Sequence, residues 1–225
     1  MKNFQKIDLE LLNYDLVAET TESGRTYLTP AGNRYPSVTT VLGSLNKQAI
    51  QAWRDKIGHD QAQKISNLAA TRGTKLHAIC ESYVSNQLSD LKYRTLMPNI
   101  KELFSQLKPI LDENLGNIYA IEQALYSDEL KVAGRVDLIA EWNGILSIID
   151  FKTSSKPKRE NWIENYFLQC TTYAIAVNER ANIFPEQIVV AIAVEGNDPQ
   201  IFVKETKNYL DRTREVMYNY QRNLK

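Results

Sequence analysis

The 225-residue chain contains only two cysteines, Cys80 and Cys170, which lie far apart and have no histidine-rich neighbourhood. This arrangement argues against a disulfide framework and against a cysteine-based zinc site, because both need several suitably spaced ligands. We predict that both cysteines are buried, reduced thiols. No segment reaches the roughly 18 consecutive apolar residues of a membrane span. The first ten residues also lack the apolar run of a secretory signal, so we expect a cytoplasmic protein.

The chain has no excess of charge of either sign, since 27 lysines and arginines balance 27 aspartates and glutamates. Overall charge therefore gives no support to nucleic-acid binding, and any attraction to phosphate must be local. The local exception is the segment 152–159, which contains four basic residues and no acidic one. Taken alone, such a basic loop is explained equally well as an ordinary solvated loop.

No repeat, low-complexity tract or linker interrupts the chain, so we predict one domain over residues 1–225. Residues 1–115 should form a hairpin and helices that pack on a core sheet formed by residues 116–225. Apolar periodicity and turn signals, among them Ser23-Gly24 and Ala31-Gly32-Asn33, define the elements. They are a hairpin in 14–35, a short helix capped by 36–40, helices in 48–87, 98–115, 161–178 and 207–224, and strands in 118–126, 132–142, 145–151, 187–194 and 201–204.

Asn143-Gly144 is the strongest hairpin signal in the chain, because a type I′ turn needs positive φ at both central positions. A two-residue loop fixes the register of the flanking strands, so that Trp142 pairs with Ile145. Counting outward, Asp137 then lies directly opposite Asp150. The same count pairs Val136 with Phe151 and Arg135 with Lys152.

Two aspartates that face each other across strands destabilise a sheet, because their Cβ atoms are about 5 Å apart. A bound cation would remove the conflict. Lys152 should point to the same side as Asp150, since side chains alternate along a strand. Hard cations such as Mg²⁺ prefer carboxylate oxygens, and a lysine beside them would help a water attack a phosphodiester. For either aspartate alone, capping of a turn or a salt bridge with Lys152 is an adequate explanation, but it accounts poorly for the whole set.

Together with flanking motifs, these residues resemble the RecB-type branch of the PD-(D/E)XK nucleases. The motifs are Gly134-Arg135-Val136-Asp137, Asp150-Phe151-Lys152-Thr153, Gln169 with Tyr173, and a helix with Arg72-Gly73-Thr74, His77 and Glu81. The segment 36–40 (Pro-Ser-Val-Thr-Thr) resembles an N-terminal element of the mitochondrial genome maintenance exonucleases and related phage exonucleases. The resemblance implies a restriction-endonuclease-like α/β core, with a mixed sheet flanked by helices and a helical N-terminal extension.

The resemblance also implies roles at the site. The catalytic residues would be Asp137, Asp150, Lys152, His77 and Glu81, and the metal ligands would be His77, Asp137, Asp150 and the main-chain carbonyl of Phe151. Glu122 and Arg135 would support them. Mg²⁺ or Mn²⁺ is the expected cofactor, and an imidazole ligand favours Mn²⁺. Several RecB-type nucleases hold an iron-sulfur cluster with four cysteines, which the two cysteines of this chain cannot supply.

Residues that would contact the DNA backbone form a larger set. They are Gln169, Tyr173, Ser37, Thr39, Thr40, Arg72, Thr153, Ser154, Lys156 and Lys158, whose hydroxyl, amide and basic groups can bind phosphate without reading sequence. Without the family pattern, His77 would be interpreted as an ordinary core or surface histidine. Gln169 and Tyr173 would likewise be interpreted as part of a half-exposed helix face.

The leading hypothesis is a metal-dependent exonuclease that acts on DNA ends, with single-stranded DNA as its substrate. A structure-selective flap or junction endonuclease is one alternative, because the catalytic residues do not report whether an end is required. A DNA-binding or assembly subunit without catalysis is another, which the intact acids and lysine argue against. The resemblance further implies a bacterial or phage source and partners among replication or recombination proteins.

Overall fold

The computed structural model describes residues 2–9, 12, 14–22 and 24–223. Its strands are β1 (Val17–Thr21), β2 (Gly24–Leu28), β3 (Arg34–Pro36), β4 (Leu115–Ser127), β5 (Val132–Trp142), β6 (Ile145–Ser154), β7 (Gln187–Val194) and β8 (Gln200–Glu205). Its helices are α1 (Val38–Leu45), α2 (Lys47–Ile57), α3 (His59–Val84), α4 (Asp90–Arg94), α5 (Pro98–Asn114), α6 (Glu164–Ala181) and α7 (Leu210–Arg222). Within this part of the chain, no helix combines the length and apolar character needed to cross a membrane.

The central sheet has five strands in the order β4-β5-β6-β7-β8. Only β6 and β7 run parallel, and α6 forms the connection between them. The other neighbouring pairs are antiparallel. This mixed sheet flanked by helices confirms the fold class predicted from the sequence.

Helices cover both faces of the sheet. On one face, α1, α6 and α7 pack on sheet residues that include Ile139, Ile148 and Val190. On the other, α3 and α5 pack on residues that include Leu138 and Ile149. Because β7 is covered on both sides, its side chains form a nearly continuous apolar run instead of alternating with polar ones.

The N-terminal hairpin is β1 with β2, and β3 extends it to a three-stranded antiparallel sheet. Of the predicted Ser23-Gly24 turn signal, Ser23 lies outside the described residues. A cluster of buried side chains that includes Tyr27, Tyr35 and Tyr126 packs this small sheet against β4 and β5. The small sheet therefore packs on the edge strand β4 and on its neighbour β5, which contains motif residues.

The predicted helical region 48–87 divides at Gly58, whose φ of 87° ends α2 and starts α3. Helix α2 buries none of its side chains, and α3 buries most of its own in its C-terminal half. Helix α4 was not predicted, because five residues are too short to show an apolar period. The predicted last helix starts as a 3₁₀ turn before α7, and its predicted end, Leu224, lies outside the described residues. Cys80 and Cys170 are buried free thiols, as predicted.

Candidate metal centre

The β5-β6 hairpin has the predicted turn and register. Asn143 and Gly144 have φ values of 52° and 79°, as a type I′ turn requires. The strand pairs run from Trp142 with Ile145 to Leu138 with Ile149. The regular pairing ends at Leu138 with Ile149, one position before the predicted pair of Asp137 with Asp150.

The strands separate at this point because the Asp137 side chain takes over a main-chain hydrogen bond. The Phe151 amide donates to Asp137 Oδ2 over 2.8 Å instead of continuing the ladder. Val136 consequently packs on the α6 face and Phe151 on the α3 face, so their predicted pairing is wrong. The predicted pairing of Arg135 with Lys152 is wrong for the same reason, and Arg135 donates to the main-chain carbonyl of Glu122.

Besides Asp137 and Asp150, Glu122 is a third acidic residue of the site, and it lies close to Asp137. The pairs Ile121 with Leu138 and Gln123 with Val136 put Glu122 opposite Asp137 on the other side of β5. Its φ of 49° lies in the left-handed region, which is uncommon for a residue with a side chain. Such strain is typical of positions that serve a site.

His77 completes a compact cluster of possible metal ligands. It lies on the buried C-terminal half of α3, and its Nδ1 is 3.3 Å from Asp137 Oδ1. One ligand atom from each of His77, Glu122 and Asp137 lies within 4.8 Å of the other two. One imidazole and two carboxylates are a suitable set for Mn²⁺ or Mg²⁺.

Charges in the cluster affect each other strongly. Burial and the charge of Asp137 raise the pKa of Glu122 to about 7. Burial would also raise the pKa of Asp137, but the hydrogen bond and charge of His77 lower it below its usual value. Burial would lower the pKa of His77, yet the same hydrogen bond and the Asp137 charge raise it. A bound cation would allow both acids to ionise together.

Buried Asp150 and half-buried Lys152 form an ion pair beside the cluster. Lys152 Nζ contacts Asp150 Oδ2, and Gln169 Nε2 donates to Asp150 Oδ1 over 3.1 Å. Lys152 Nζ also lies 5.2 Å from the centre of the Tyr166 ring. Burial raises the pKa of Asp150 to about 6. Burial would lower the pKa of Lys152, but the charges of Asp150 and Asp137 raise it, so Lys152 stays protonated.

The predicted ligand set and the observed cluster overlap in part. His77 and Asp137 are members of both, whereas Asp150 contacts Lys152 and Gln169, and Phe151 donates its amide to Asp137. Glu122, predicted only as a supporting residue, lies in the cluster itself. The signal for it in the sequence is the one charged residue in the mainly apolar strand pattern of 118–126.

Two cavities adjoin the cluster. The first lies under α1 and α6, and among its lining residues are Asp137, Lys152 and the predicted DNA-contacting residues Ser37, Thr39, Gln169 and Tyr173. The second lies beside α3 and is lined by residues that include Glu81, which is exposed, and Glu122. Three residues line both cavities, namely Arg25, His77 and Arg135.

Several other predicted DNA-contacting side chains already have partners. Ser37 caps α1 by accepting from the Thr40 amide over 2.9 Å, and its hydroxyl lies 2.7 Å from that of Thr40. Arg72 pairs with Glu195 at 2.6 Å. Ser154 Oγ donates to the Lys156 carbonyl and thereby forms a turn. Thr39 and Lys156 are exposed, whereas Thr153 and Lys158 are half-buried.

Gly134 explains one position of the motif in steric terms. A Cβ at this residue would lie 2.6 Å from Tyr173 Oη and 2.9 Å from Tyr173 Cε1. Tyr173 is buried among β5 and α6 but reaches the first cavity. The absence of a side chain at Gly134 therefore lets Tyr173 line the cavity.

Comparison with known proteins identifies the family of this chain. The family model described as PD-(D/E)XK nuclease superfamily matches residues 94–216. Mitochondrial genome maintenance exonuclease 1 of Homo sapiens is 30% identical over 161 residues, which are 67% of this chain and 46% of that protein. The protein of the same name from Xenopus tropicalis is 26% identical over 197 residues, covering 80% and 53%. This chain thus spans about half the length of these curated relatives.

Among solved structures, a candidate exonuclease from Eubacterium rectale has a TM-score of 0.46 and 13% identity. The match covers 68% of this chain and 66% of that one.

Proposed function

Because the chain belongs to the PD-(D/E)XK nuclease superfamily, we propose that it is a divalent-metal-dependent exonuclease that hydrolyses phosphodiester bonds at the ends of single-stranded DNA. The observation that carries the proposal is the cluster of His77, Glu122 and Asp137 beside the Asp150–Lys152 ion pair. The names of the relatives, which are exonucleases, support the same reaction.

His77, Glu122 and Asp137 would hold one divalent ion, and Asp150 would be a further ligand. The raised pKa of Glu122 supports this assignment, since burial and the charge of Asp137 disfavour its ionisation and a bound cation would favour it. The ion would supply Lewis-acid stabilisation of the charge on the phosphate.

Lys152 would act as a cation and not as a base, because it stays protonated beside Asp150. From its position in the first cavity it would orient the attacking water and stabilise the charge that develops on the phosphate oxygens. Gln169 would keep Asp150 oriented through its 3.1 Å hydrogen bond. Tyr173 and Thr39 would line the path of the DNA backbone.

The recessed position of the acids supports a single-stranded substrate. The Asp137 side chain is 10% exposed and the Asp150 side chain 3%. A flexible single strand can bring one phosphate into such a cleft, whereas a duplex would have to open or distort first. An exposed end would enter with the least distortion, which favours the exonuclease over the flap or junction endonuclease.

Degradation assays with Asp150→Asn test the proposal, and Asp211→Asn, an exposed aspartate on α7, is the matched control. The substrates are single-stranded, duplex and circular DNA, labelled at either end when linear, with Mg²⁺, Mn²⁺ or EDTA. We expect the wild type and Asp211→Asn to degrade linear single strands with Mg²⁺ or Mn²⁺ but not in EDTA, and Asp150→Asn to be inactive.

Each alternative has its own outcome. Cutting of circular single strands would show that the protein is an endonuclease and not an exonuclease. DNA binding by wild-type protein without cleavage in any metal would support the non-catalytic subunit. Wild-type rates for Asp150→Asn would contradict the assignment of the site.

A further inference from the structure

The Arg25 side chain lies where the two cavities meet, and it belongs to none of the sequence motifs. It is exposed near the start of β2 in the small sheet and lines both cavities. The other two residues that do so, His77 and Arg135, both contact acids, namely Asp137 and Asp15. Within residues 2–9, 12, 14–22 and 24–223, Arg25 has no acid within ion-pair distance.

The backbone of Arg25 is held in place from both sides. Its amide donates to Thr40 Oγ1 over 3.2 Å, and its carbonyl accepts from the Ser37 amide over 2.7 Å. The neighbouring Gly24 has a φ of 126°, and a Cβ there would lie 2.6 Å from Thr40 Cγ2. These contacts tie Arg25 to the start of α1.

The guanidinium is also oriented, since its Cζ lies 5.1 Å from the centre of the Tyr27 ring. Tyr27 is 3% exposed and belongs to the cluster that packs the small sheet against β4 and β5. A cation stacked on a buried ring loses less freedom on binding a phosphate than a free surface arginine would. The site therefore presents a preorganised cation whose hydrogen-bonding edge is available.

We propose that Arg25 binds a phosphate of the DNA strand next to the scissile one and so positions the strand at the metal cluster. This inference rests on the proposed function and deepens it. A strand that extends from one cavity to the other must pass Arg25, His77 and Arg135. Lys152 and the metal ligands already serve the reacting phosphate, so Arg25 serves its neighbour, as a positioning residue. The small N-terminal sheet thereby contributes directly to substrate binding.

The test compares Arg25→Ala and Arg25→Lys with Arg34→Ala. Arg34 lies in the same small sheet, is 53% exposed and pairs with Glu19 at 2.5 Å. Binding of a fluorescein-labelled single strand is measured in EDTA over a range of salt concentrations. Each phosphate contact contributes about 0.7 to the slope of log K against log salt for single strands. We expect Arg25→Ala to bind about 10-fold more weakly and to lose about 0.7 of slope, with Arg25→Lys keeping the slope. Arg34→Ala should match wild type.

A second measurement uses strands that carry one neutral methylphosphonate at successive positions. At a single position the neutral linkage should weaken binding by the wild type but not by Arg25→Ala. With metal present, Arg25→Ala should raise KM far more than it lowers kcat. An unchanged salt slope in Arg25→Ala, or an equal loss in Arg34→Ala, would overturn the inference. Wild-type protein that binds through Arg25 but never cleaves would instead contradict the proposed function alone.

Discussion

Replacing Glu122 with glutamine should stabilise the protein in EDTA, although it removes a residue of the proposed metal centre. The shift of the Glu122 pKa from 4.5 to about 7 corresponds to about 3 kcal/mol of unfavourable ionisation at pH 8, or to about 2 kcal/mol after a discount for solvent screening of this half-buried group. A buried amide without a full set of partners costs about 1 kcal/mol. The net gain is about 1 kcal/mol, or a melting temperature about 2 to 4 °C higher for a chain of this size.

The sign of the pH dependence follows from the direction of the shift. An acid with a raised pKa in the folded state binds its proton more tightly there than in the unfolded chain. Wild-type stability should therefore fall as the pH rises from about 4.5 to about 7, and the Glu122→Gln variant should lack this contribution to the fall. The advantage of the variant is thus small at pH 5 and full at pH 8.

Thermal unfolding in EDTA and in Mn²⁺ at both pH values measures the effect. Asp211→Asn is the control, because Asp211 is an exposed acid on α7 that does not line the cavity that Glu122 lines. Saturating Mn²⁺ at 100 times its Kd would stabilise the wild type by about 2.7 kcal/mol, and the variant should gain much less. A Glu122→Gln protein that is no more stable than the wild type at pH 8 in EDTA would refute the argument that burial and the charge of Asp137 disfavour ionisation of Glu122.

Lys152→Met should lower the rate of cleavage of single-stranded DNA by at least about 100-fold. The control Lys204→Met, which removes an ion pair between the edge strand β8 and Glu160, should not lower this rate. Lys152→Met should also raise the pKa of Asp150 further. The stability of Lys152→Met in EDTA should therefore fall more steeply than that of the wild type as the pH rises above about 6. Parallel curves of stability against pH for the two proteins would contradict this. Gly134→Ala should displace Tyr173 and lower the free energy of unfolding in urea by about 1 to 3 kcal/mol through overpacking. Gly144 has open space around it but a φ of 79°. Gly144→Ala should therefore lower the free energy of unfolding by about 1 kcal/mol through backbone strain alone.

The register of the β5-β6 hairpin could be predicted because two local facts determine it. Asn143-Gly144 accepts positive φ, and a two-residue loop leaves one way to pair the strands. The count therefore holds from Trp142 to Leu138. It fails at Val136 and Arg135, because the Asp137 carboxylate competes for the Phe151 amide, and turn geometry carries no information about such competition.

The position of Glu122 could not be derived in the same way. The loop between β4 and β5 has four residues, and the β4 pairing shifts register between Leu115 and Ala120. A count from either end of β4 would therefore give different partners. The left-handed conformation of Glu122 also depends on its surroundings and not on local sequence preference. Family resemblance supplied the residue, but only three-dimensional packing brings it to His77 and Asp137.

The Phe151–Asp137 hydrogen bond makes one backbone amide a spectroscopic reporter. Asp137 presents Oδ2 to the Phe151 N–H and Oδ1 to His77, so a change in charge on this carboxylate alters the shielding of one amide proton. Titration with a metal or with acid should therefore move the Phe151 cross-peak in an ¹⁵N spectrum more than that of Ile149, whose amide lies in the regular paired region of the same strand. Occupancy of the centre could then be followed residue by residue, with no DNA and no turnover.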